Sequence, residues 1–224
     1  MPDNRQHQIR THARTQIEAA GVLLAGGHFD YGNGYHASSY LDVFGLFESP
    51  SLVWRIAEDL VDMIPQTLAA KAEIVGGPGT AGAILAHIVA GILDGRRPLT
   101  GAPRRFAAFE HHERRTLHLA PAYASAMRGR SLLLVDDCRR PGGALETSVD
   151  IAKQAGADVI GCAAIWEWPG SAPSASMPVT VLCDWLRTDS VPFKECPLCR
   201  AGHRAHRVEL GAVPLSWGAT VIRL

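Results

Sequence analysis

The chain has 224 residues, of which 47% are hydrophobic and 20% are charged, and its 22 basic residues balance its 22 acidic ones. This composition is typical of a soluble globular protein, and the zero net charge argues against nucleic acid or an acidic membrane surface as a partner. No apolar run approaches the roughly 18 residues of a spanning helix, and five cysteines, an odd number, fit a reducing compartment better than a disulfide framework. We therefore expect a cytoplasmic protein without a membrane segment.

The first 48 residues predict a polar arm, a helix and a set of short strands. Residues 1–13 are polar and predict a frayed arm, and Thr15 to Leu24 predict a helix that ends at the glycine pair that follows. The segment GHFDYGNGYHASSYLDVF, 27–44, is rich in glycine and aromatic residues. It predicts short strands with a turn at Gly32-Asn33-Gly34.

From residue 49 to 186 the sequence predicts alternating helices and strands, which implies right-handed crossovers and a mainly parallel sheet. The predicted helices cover about 50–64, 80–93 and 143–155, and the predicted strands 72–75, 105–110, 132–135, 159–168 and 179–185. Helix 80–93 is apolar on most sides, so we expect it to be buried. The remainder, 188–224, predicts irregular structure. Ligands of such sheets bind at the carboxyl ends of strands, where this chain places the loops 76–82, 110–118 and 136–144.

The stretch SLLLVDDCRRPGGALETS, 131–148, dominates this pattern. A short apolar run ends in Asp136 and Asp137, turns through Gly142 and Gly143, and enters a helix at Ala144. Acids at the end of a strand can hold ribose hydroxyls or Mg²⁺, and a glycine loop at a helix start can bind phosphate through backbone N–H groups. The stretch therefore predicts a site for a sugar phosphate.

A second glycine loop follows the strand at 72–75. Gly77-Pro78-Gly79-Thr80-Ala81-Gly82 matches the dinucleotide fingerprint G-x-G-x-x-G, but Glu110 lies farther along the chain than the roughly 20-residue offset of that fingerprint. The loop also fits a tight turn that requires small residues. Together with the first glycine loop, it fits best a pyrophosphate-binding loop of another kind.

Two further clusters each allow two interpretations. The segment HHERR, 111–115, is either a solvated loop or a loop that closes over an anionic substrate and neutralises departing pyrophosphate. Cys196 and Cys199 have the spacing of half a zinc site, which His203 and His206 would complete. A thiol pair without metal fits the same residues equally well. The other cysteines, Cys138, Cys162 and Cys183, fit buried packing positions.

These motifs, in this order, resemble type I phosphoribosyltransferases, and most closely their orotate branch. LLLVDDCRRPGGALE, 132–146, resembles the family's signature for phosphoribosyl pyrophosphate (PRPP), and EIVGGPGTAGAILA, 73–86, resembles its pyrophosphate loop. Segments 27–42 and 106–119 are similar to the N-terminal base-side segment and the flexible catalytic loop. The tail ECPLCRAG, 195–202, resembles a C-terminal motif of one bacterial branch.

The resemblance implies an α/β fold of one domain: a mainly parallel five-stranded sheet flanked by helices, with a small N-terminal hood. Residues 1–48 would form the arm and hood, 49–186 the α/β core, and 187–224 an extension that carries the CPLC motif. It also implies an enzyme that transfers 5-phosphoribosyl from Mg²⁺-PRPP to a nucleobase, orotate or a related base, and releases pyrophosphate. Such enzymes are usually homodimers.

The resemblance also implies roles for the residues that match the family's motifs. The resemblance gives a catalytic role, including pyrophosphate stabilisation, to Asp136, Asp137, Glu110, His111, His112 and Arg114, with Asp136 and Asp137 also holding Mg²⁺. It gives phosphate binding to Arg139, Arg140, Pro141, Gly142, Gly143, Ala144, Pro78, Gly79 and Thr80, and base binding to Tyr35 and His36. A structural Zn²⁺ would use Cys196 and Cys199.

The phosphate loop departs from the family pattern T-T-G-G-S/T, because the same positions here read Arg-Pro-Gly-Gly-Ala, 140–144. The hydroxyls are absent and Pro141 removes one N–H group. The flexible loop lacks lysine as well. These departures keep two alternatives open: a non-catalytic protein that binds a nucleotide or PRPP, and, through Gly77 to Gly82, a dinucleotide-dependent enzyme.

Overall fold

The computed structural model describes residues 4–32, 34–97, 101–111, 116–140, 143–171, 177–185, 190–208 and the backbone of 222–223. Its α-helices are α1 (Asn4–Ala19), α2 (Val43–Phe47), α3 (Pro50–Met63), α4 (Gln66–Lys71), α5 (Gly79–Gly95), α6 (Pro121–Met127), α7 (Ala144–Gln154) and α8 (Pro197–Arg200). Its strands are β1 (Leu23–Ala25), β2 (Phe29–Asp30), β3 (Tyr35–Ala37), β4 (Tyr40–Leu41), β5 (Ile74–Pro78), β6 (Arg105–His111), β7 (Leu117–Leu119), β8 (Ser131–Arg139), β9 (Asp158–Glu167), β10 (Val179–Cys183), β11 (Ser190–Pro192), β12 (His206–Arg207) and β13 (Ile222–Arg223).

The central sheet has the strand order β10-β9-β8-β5-β6-β7. The five strands from β10 to β6 are parallel, which confirms the predicted parallel core. A sixth strand, β7, pairs antiparallel with β6. The pairing joins His111 to Leu117 and Glu110 to His118, and the predicted loop residues 112–115 lie outside the described part.

Both faces of the sheet are covered, and β8 shows how the sequence achieves this. Its side chains alternate between the faces, as the pleat of a strand requires. Leu133 packs in the core formed with α1, α3 and α5, whereas its neighbours Leu132 and Leu134 pack in the core formed with α6 and α7. The continuous apolar run of β8 is typical of a parallel strand that is buried on both sides.

Two helices differ from their prediction. Residues 4–13 are not a frayed arm but the first part of α1, which buries Ile9, Ala13 and Ile17 at four-residue spacing. The buried stripe is only one residue wide, so the polar composition concealed it. The helix ends before Gly21, whose φ of +67° is left-handed, and the next residues form β1. Helix α5 is not buried on all sides, because Ile84 is 43% exposed.

The hood is a separate four-stranded sheet with the order β11-β3-β2-β12. Its centre is the predicted hairpin β2–β3, in which Gly32 and Gly34 have φ angles of +73° and +87°; Asn33 lies outside the described residues. Segment 190–208 is not irregular, since it supplies both outer strands of this sheet as well as α8. Across the described ranges, each helix is too short or too polar to cross a membrane.

Candidate active site

The strand order places a crevice between β5 and β8. From β5 the chain proceeds outward to β6, whereas from β8 it proceeds in the opposite direction to β9 and β10. In parallel α/β sheets, ligands bind at such a reversal, outside the carboxyl ends of the two central strands. The predicted glycine loop 76–82 is the junction at which β5 passes directly into α5, without an intervening loop, and the second predicted glycine loop follows β8, so both flank this crevice.

The paired acids lie near the carboxyl end of β8. The apolar run predicts a strand that ends at Val135, but the strand continues to Arg139. Asp136 is 5% exposed and its Oδ1 accepts a hydrogen bond of 2.9 Å from the backbone N–H of Asp137, which is half-buried. A Cβ at Gly82 would lie 2.8 Å from Asp136 Oδ1, so the carboxylate rests against the start of α5.

The surroundings of the two acids disfavour their ionised forms. Burial raises the pKa of Asp136 well above its usual range, and the neighbouring charge of Asp137 raises it further. Burial also raises the pKa of Asp137, while the positive charge of Arg140 lowers both values. The ionised forms are therefore costly without a compensating positive charge, and carboxylate oxygens are the ligands that Mg²⁺ prefers.

The junction of β5 and α5 is tightly wound and meets the end of β6. Gly79 has a φ of +61°, and a Cβ there would lie 3.3 Å from the ring of His111. Helix α5 begins at Gly79 with Pro78 as its N-cap, and no side chain caps its free N–H groups. Thr80 lies half-buried in the first turn. The ends of β5, β6 and β8 thus converge, with an uncapped helix start among them.

The glycine at position 77 is required by this winding. A Cβ on Gly77 would lie 1.9 Å from the carbonyl oxygen of Gly82. We expect Gly77→Ala to shift the loop and to lower the free energy of unfolding by about 1–3 kcal/mol, measured by denaturant unfolding. Gly91→Ala is the control: nothing lies within 4 Å of a Cβ there, and alanine in the exposed helix interior stabilises by up to about 1 kcal/mol. Equal effects of the two substitutions would contradict this account.

The loop after β8 leads into α7. Gly143 is the N-cap of α7 and again no side chain caps the helix. Its N–H donates to the carbonyl of Arg140 at 3.0 Å, and a Cβ would lie 2.5 Å from Arg140 Cγ, so only glycine fits this turn. The hydroxyls of Thr147 and Ser148 donate back to carbonyls of their own helix start and do not replace the missing loop hydroxyls. Pro141 and Gly142 lie outside the described residues; Ala144 is the first residue of α7.

The two arginines after the acids have different environments. Arg139, predicted to bind phosphate, is 6% exposed and forms an ion pair with Glu167, its partner on β9. Its NH2 group also lies 3.6 Å from Glu146 Oε1. Because these carboxylates hold its guanidinium, the structure favours a structural role for Arg139. Arg140 is exposed, near the acids, and remains available to a phosphate.

An aromatic cluster joins the hood to the sheet, and the sequence analysis did not find it. Its ring pairs have centroids 5.0–6.2 Å apart, and its members are Phe29, Tyr31, Tyr40, Trp166 and Trp168. Burial raises the pKa of Tyr40 on β4, and the charges of Asp42 and Asp137 add to this. The aromatic residues of segment 27–44 were the available signal.

The two predicted base-binding residues lie apart. Tyr35 packs against the loop after β9, where a Cβ on Gly170 would lie 2.6 Å from its ring. The His36 side chain points elsewhere: it is buried in a cluster formed by His28, His36, Cys196 and Cys199, here termed the Cys/His cluster. Base binding by His36 stays a prediction, because the structure places its side chain among possible metal ligands and contains no base. The exposed His203 and His206, which the sequence offered as zinc partners, are not members of this cluster.

The remaining predicted residues follow β6. Glu110 and His111 end that strand, exposed, and pair in register with His118 and Leu117 of β7. His112 and Arg114 lie outside the described residues. The carboxyl end of β6 therefore reaches the crevice, with the His111 ring beside Gly79.

Comparison with known proteins agrees with this architecture. No family model matches the chain. The orotate phosphoribosyltransferase of Thermotoga maritima is 26% identical over 193 residues, which covers 85% of this chain and 94% of the relative. The enzyme of the same name from Caldicellulosiruptor bescii is 25% identical over 179 residues, covering 80% and 86%.

Solved structures show the same fold. Orotate phosphoribosyltransferase from Aeropyrum pernix superposes with a TM-score of 0.56 at 16% identity, covering 76% of this chain and 91% of that one. A phosphoribosyltransferase from Corynebacterium diphtheriae gives 0.55 at 16% identity, covering 78% and 95%. With its paired acids and glycine loops at the strand reversal, the chain has the fold of the type I phosphoribosyltransferases. In sequence, the relatives that it resembles are orotate phosphoribosyltransferases.

Proposed function

We propose that the protein transfers the 5-phosphoribosyl group of PRPP to a nucleobase nitrogen, with orotate or a related base as acceptor, and releases pyrophosphate. The observation that carries this proposal is the convergence of the buried Asp136 and the half-buried Asp137 with two uncapped helix starts at the strand reversal. PRPP carries a phosphate at one end of its ribose and a pyrophosphate at the other. The two helix starts provide separate anion sites on either side of the acids that would hold the ribose.

The residues assigned to the ribose are Asp136 and Asp137. Their carboxylate oxygens accept hydrogen bonds, so they suit ribose hydroxyls. Both also suit Mg²⁺, because they are hard oxygen donors whose ionised forms lack sufficient compensation in their buried setting. When bound, Mg²⁺ would neutralise charge on PRPP. The protein's own contribution is orientation of the anomeric carbon toward the base.

The two phosphate ends have distinct partners in this proposal. The 5′-phosphate would bind the start of α7, residues 143–144, with Arg140 supplying the positive charge that replaces the family's hydroxyls. The pyrophosphate would bind the start of α5 at Gly79 and Thr80. His111 lies against Gly79 and would donate to the departing pyrophosphate, whose developing charge is the main electrostatic demand of the reaction.

The base would lie under the hood. Tyr35 is the hood residue proposed to contact it, and the aromatic cluster fixes the hood over the sheet. The resemblance supports a homodimer and a place in pyrimidine nucleotide synthesis. Large apolar side chains that are exposed in the single chain would suit a subunit contact: Phe44, Trp54 and Ile84.

The test is calorimetry with PRPP and Mg²⁺, followed by a pyrophosphate-release assay across a panel of pyrimidine and purine bases. We expect PRPP to bind only with Mg²⁺ present and one base, orotate or a close relative, to trigger release. Absence of PRPP binding would overturn the proposal. Binding without release from any base would support the non-catalytic alternative, which nothing in the reported comparisons favours.

The dinucleotide alternative is weaker. The parallel core has the strand order β10-β9-β8-β5-β6. Counted along the chain from β5, this is the order 5-4-3-1-2, which differs from the order 3-2-1-4-5-6 of the dinucleotide-binding fold. The glycine spacing at Gly77 to Gly82 is explained by the close contact between these two residues.

A further inference from the structure

We propose that a single structural zinc ion is bound by the Cys/His cluster, and that it fastens the C-terminal tail to the hood. The four ligand atoms all lie within 4.8 Å of one another. Two come from the hood, from His28 just before β2 and from His36 on β3. The other two, Cys196 and Cys199, flank the start of α8, more than 150 residues later in the chain.

Three separations between a cysteine sulfur and a histidine nitrogen match a tetrahedral ion. Zinc bonds of about 2.3 Å to sulfur and 2.0 Å to nitrogen place neighbouring ligand atoms roughly 3.3–3.8 Å apart. His28 Nε2 lies 3.3 Å from Cys196 Sγ and 3.5 Å from Cys199 Sγ, and His36 Nδ1 lies 3.3 Å from Cys199 Sγ. The two ring nitrogens are 2.8 Å apart, so a small outward shift would admit the ion.

The second nitrogen of each imidazole faces an oxygen. His28 Nδ1 lies 3.0 Å from the carbonyl oxygen of His203 and donates to it when Nε2 is a metal ligand. His36 Nε2 lies 3.7 Å from Asp30 Oδ1. Metal-binding histidines have such oxygen partners, which set the tautomer and the orientation of the ring. Two histidines with this arrangement around one point indicate a built metal site.

The cluster suits a structural ion. Three of its members are buried, His28 and His36 at 5% exposure and Cys196 at 2%, and Cys199 is half-buried. Four protein ligands leave no open position for a substrate, as in closed structural zinc sites, and the S₂N₂ set favours zinc among the common metals.

The turn after the cysteines also fits. Gly202 has a φ of +78° and donates its N–H to the Cys199 carbonyl at 3.0 Å, which reverses the chain and presents the His203 carbonyl to His28. Beyond it, β12 pairs with β2, while β11 pairs with β3 before the cysteines. A zinc ion would cross-link the sheet that both tail strands complete, and would hold Tyr35, next to His36, in place. The zinc site does not depend on the proposed activity, because none of its ligands comes from the crevice loops.

The experiment measures metal in the full chain purified under reducing conditions with zinc supplied. We expect a stoichiometry close to one zinc per chain by mass spectrometry. The reduced protein should also bind Co²⁺ with the visible bands of a tetrahedral thiolate site. Cys199→Ser, at the least buried ligand, should lose both. The matched control is the double variant His203→Ala/His206→Ala, which removes the alternative ligands and should keep both.

Two results would overturn the proposal: wild-type protein that holds neither zinc nor cobalt, or a double variant that loses the metal while Cys199→Ser keeps it. Should Cys199→Ser fail to fold, chelation of the wild-type protein replaces it. Removal of zinc should then increase protease cleavage within the tail, 190–208, and added zinc should restore resistance. Unchanged cleavage after complete zinc removal would contradict the fastening role.

Discussion

Asp137→Asn is expected to lower the rate of pyrophosphate release by on the order of 10²–10³-fold, because it removes charge at the centre of the proposed site while keeping its shape. Asp137 is the better target of the pair. Asp136 is more deeply buried, accepts the backbone N–H of Asp137 and lies against Gly82, so its replacement would disturb the structure as well.

The same substitution should leave the fold intact. Burial raises the pKa of Asp137, which means that its ionised form is disfavoured in the folded chain relative to the unfolded chain. Asparagine removes that cost at neutral pH, so the free energy of unfolding of the Mg²⁺-free protein should be unchanged or higher. A large loss of activity without a loss of stability separates a role in the reaction from a structural one.

The control is Asp158→Asn, an exposed acid at the amino end of β9, on the opposite edge of the sheet from the crevice. It should leave pyrophosphate release unchanged. Turnover is measured with PRPP and the base identified by the panel. If Asp137→Asn turns over like the wild type, the assignment of this residue is wrong.

The sequence was most informative where hydrophobic periodicity was strong. The apolar stripe of α3 and the apolar runs of β8 and β9 identified these elements within a few residues, and the order of motifs placed the two glycine loops at the same edge of the sheet. Helix α1 was different, because a fully polar surface surrounds its single line of buried residues. Its burial depends on contact with α3 and the sheet, which local sequence does not encode.

The site residues show the same limit. The Cys196–Cys199 spacing predicted two metal ligands, but the structure places His28 and His36 beside them and not the nearest histidines in sequence, His203 and His206. The histidines that join them lie in the hood, and only the pairing of β12 with β2 brings the two segments together. A sequence can reveal half of such a site, but the other half requires the tertiary structure.

Arg139 is the predicted phosphate-binding residue whose surroundings in the structure differ most from those that its sequence position suggests. In sequence it follows the acids and belongs to a phosphate loop. In the structure β8 continues through it, and register pairs it with Glu167 on β9, where both side chains are only 8% exposed. Because Arg139 pairs in register with Glu167, its charge lies in an ion pair within the sheet, although its sequence position predicted a contact with a ligand.

Glu167→Gln should therefore destabilise the protein by about 3–5 kcal/mol, because it leaves the buried guanidinium of Arg139 without its main countercharge. Glu146, 3.6 Å away, would compensate only in part, since it is 45% exposed. The double variant Arg139→Met/Glu167→Leu removes both charges while approximately conserving volume, and should recover most of the stability. The free energy of unfolding, from denaturant titration of the metal-free protein, measures both effects.

Arg140→Ala tests whether the two neighbouring arginines have different roles. Loss of the Arg139 ion pair should affect the free energy of unfolding, whereas Arg140→Ala should affect PRPP binding. We expect it to weaken PRPP binding at least tenfold in calorimetry, since it removes the exposed charge beside α7, and to leave the free energy of unfolding within about 0.5 kcal/mol. Arg130→Ala, at the opposite end of β8 in an exposed pair with Glu73, should change neither quantity appreciably. If the Arg139 and Glu167 double variant is stable yet binds PRPP as weakly as Arg140→Ala, then Arg139 contacts the phosphate after all and the ion pair is not its main role.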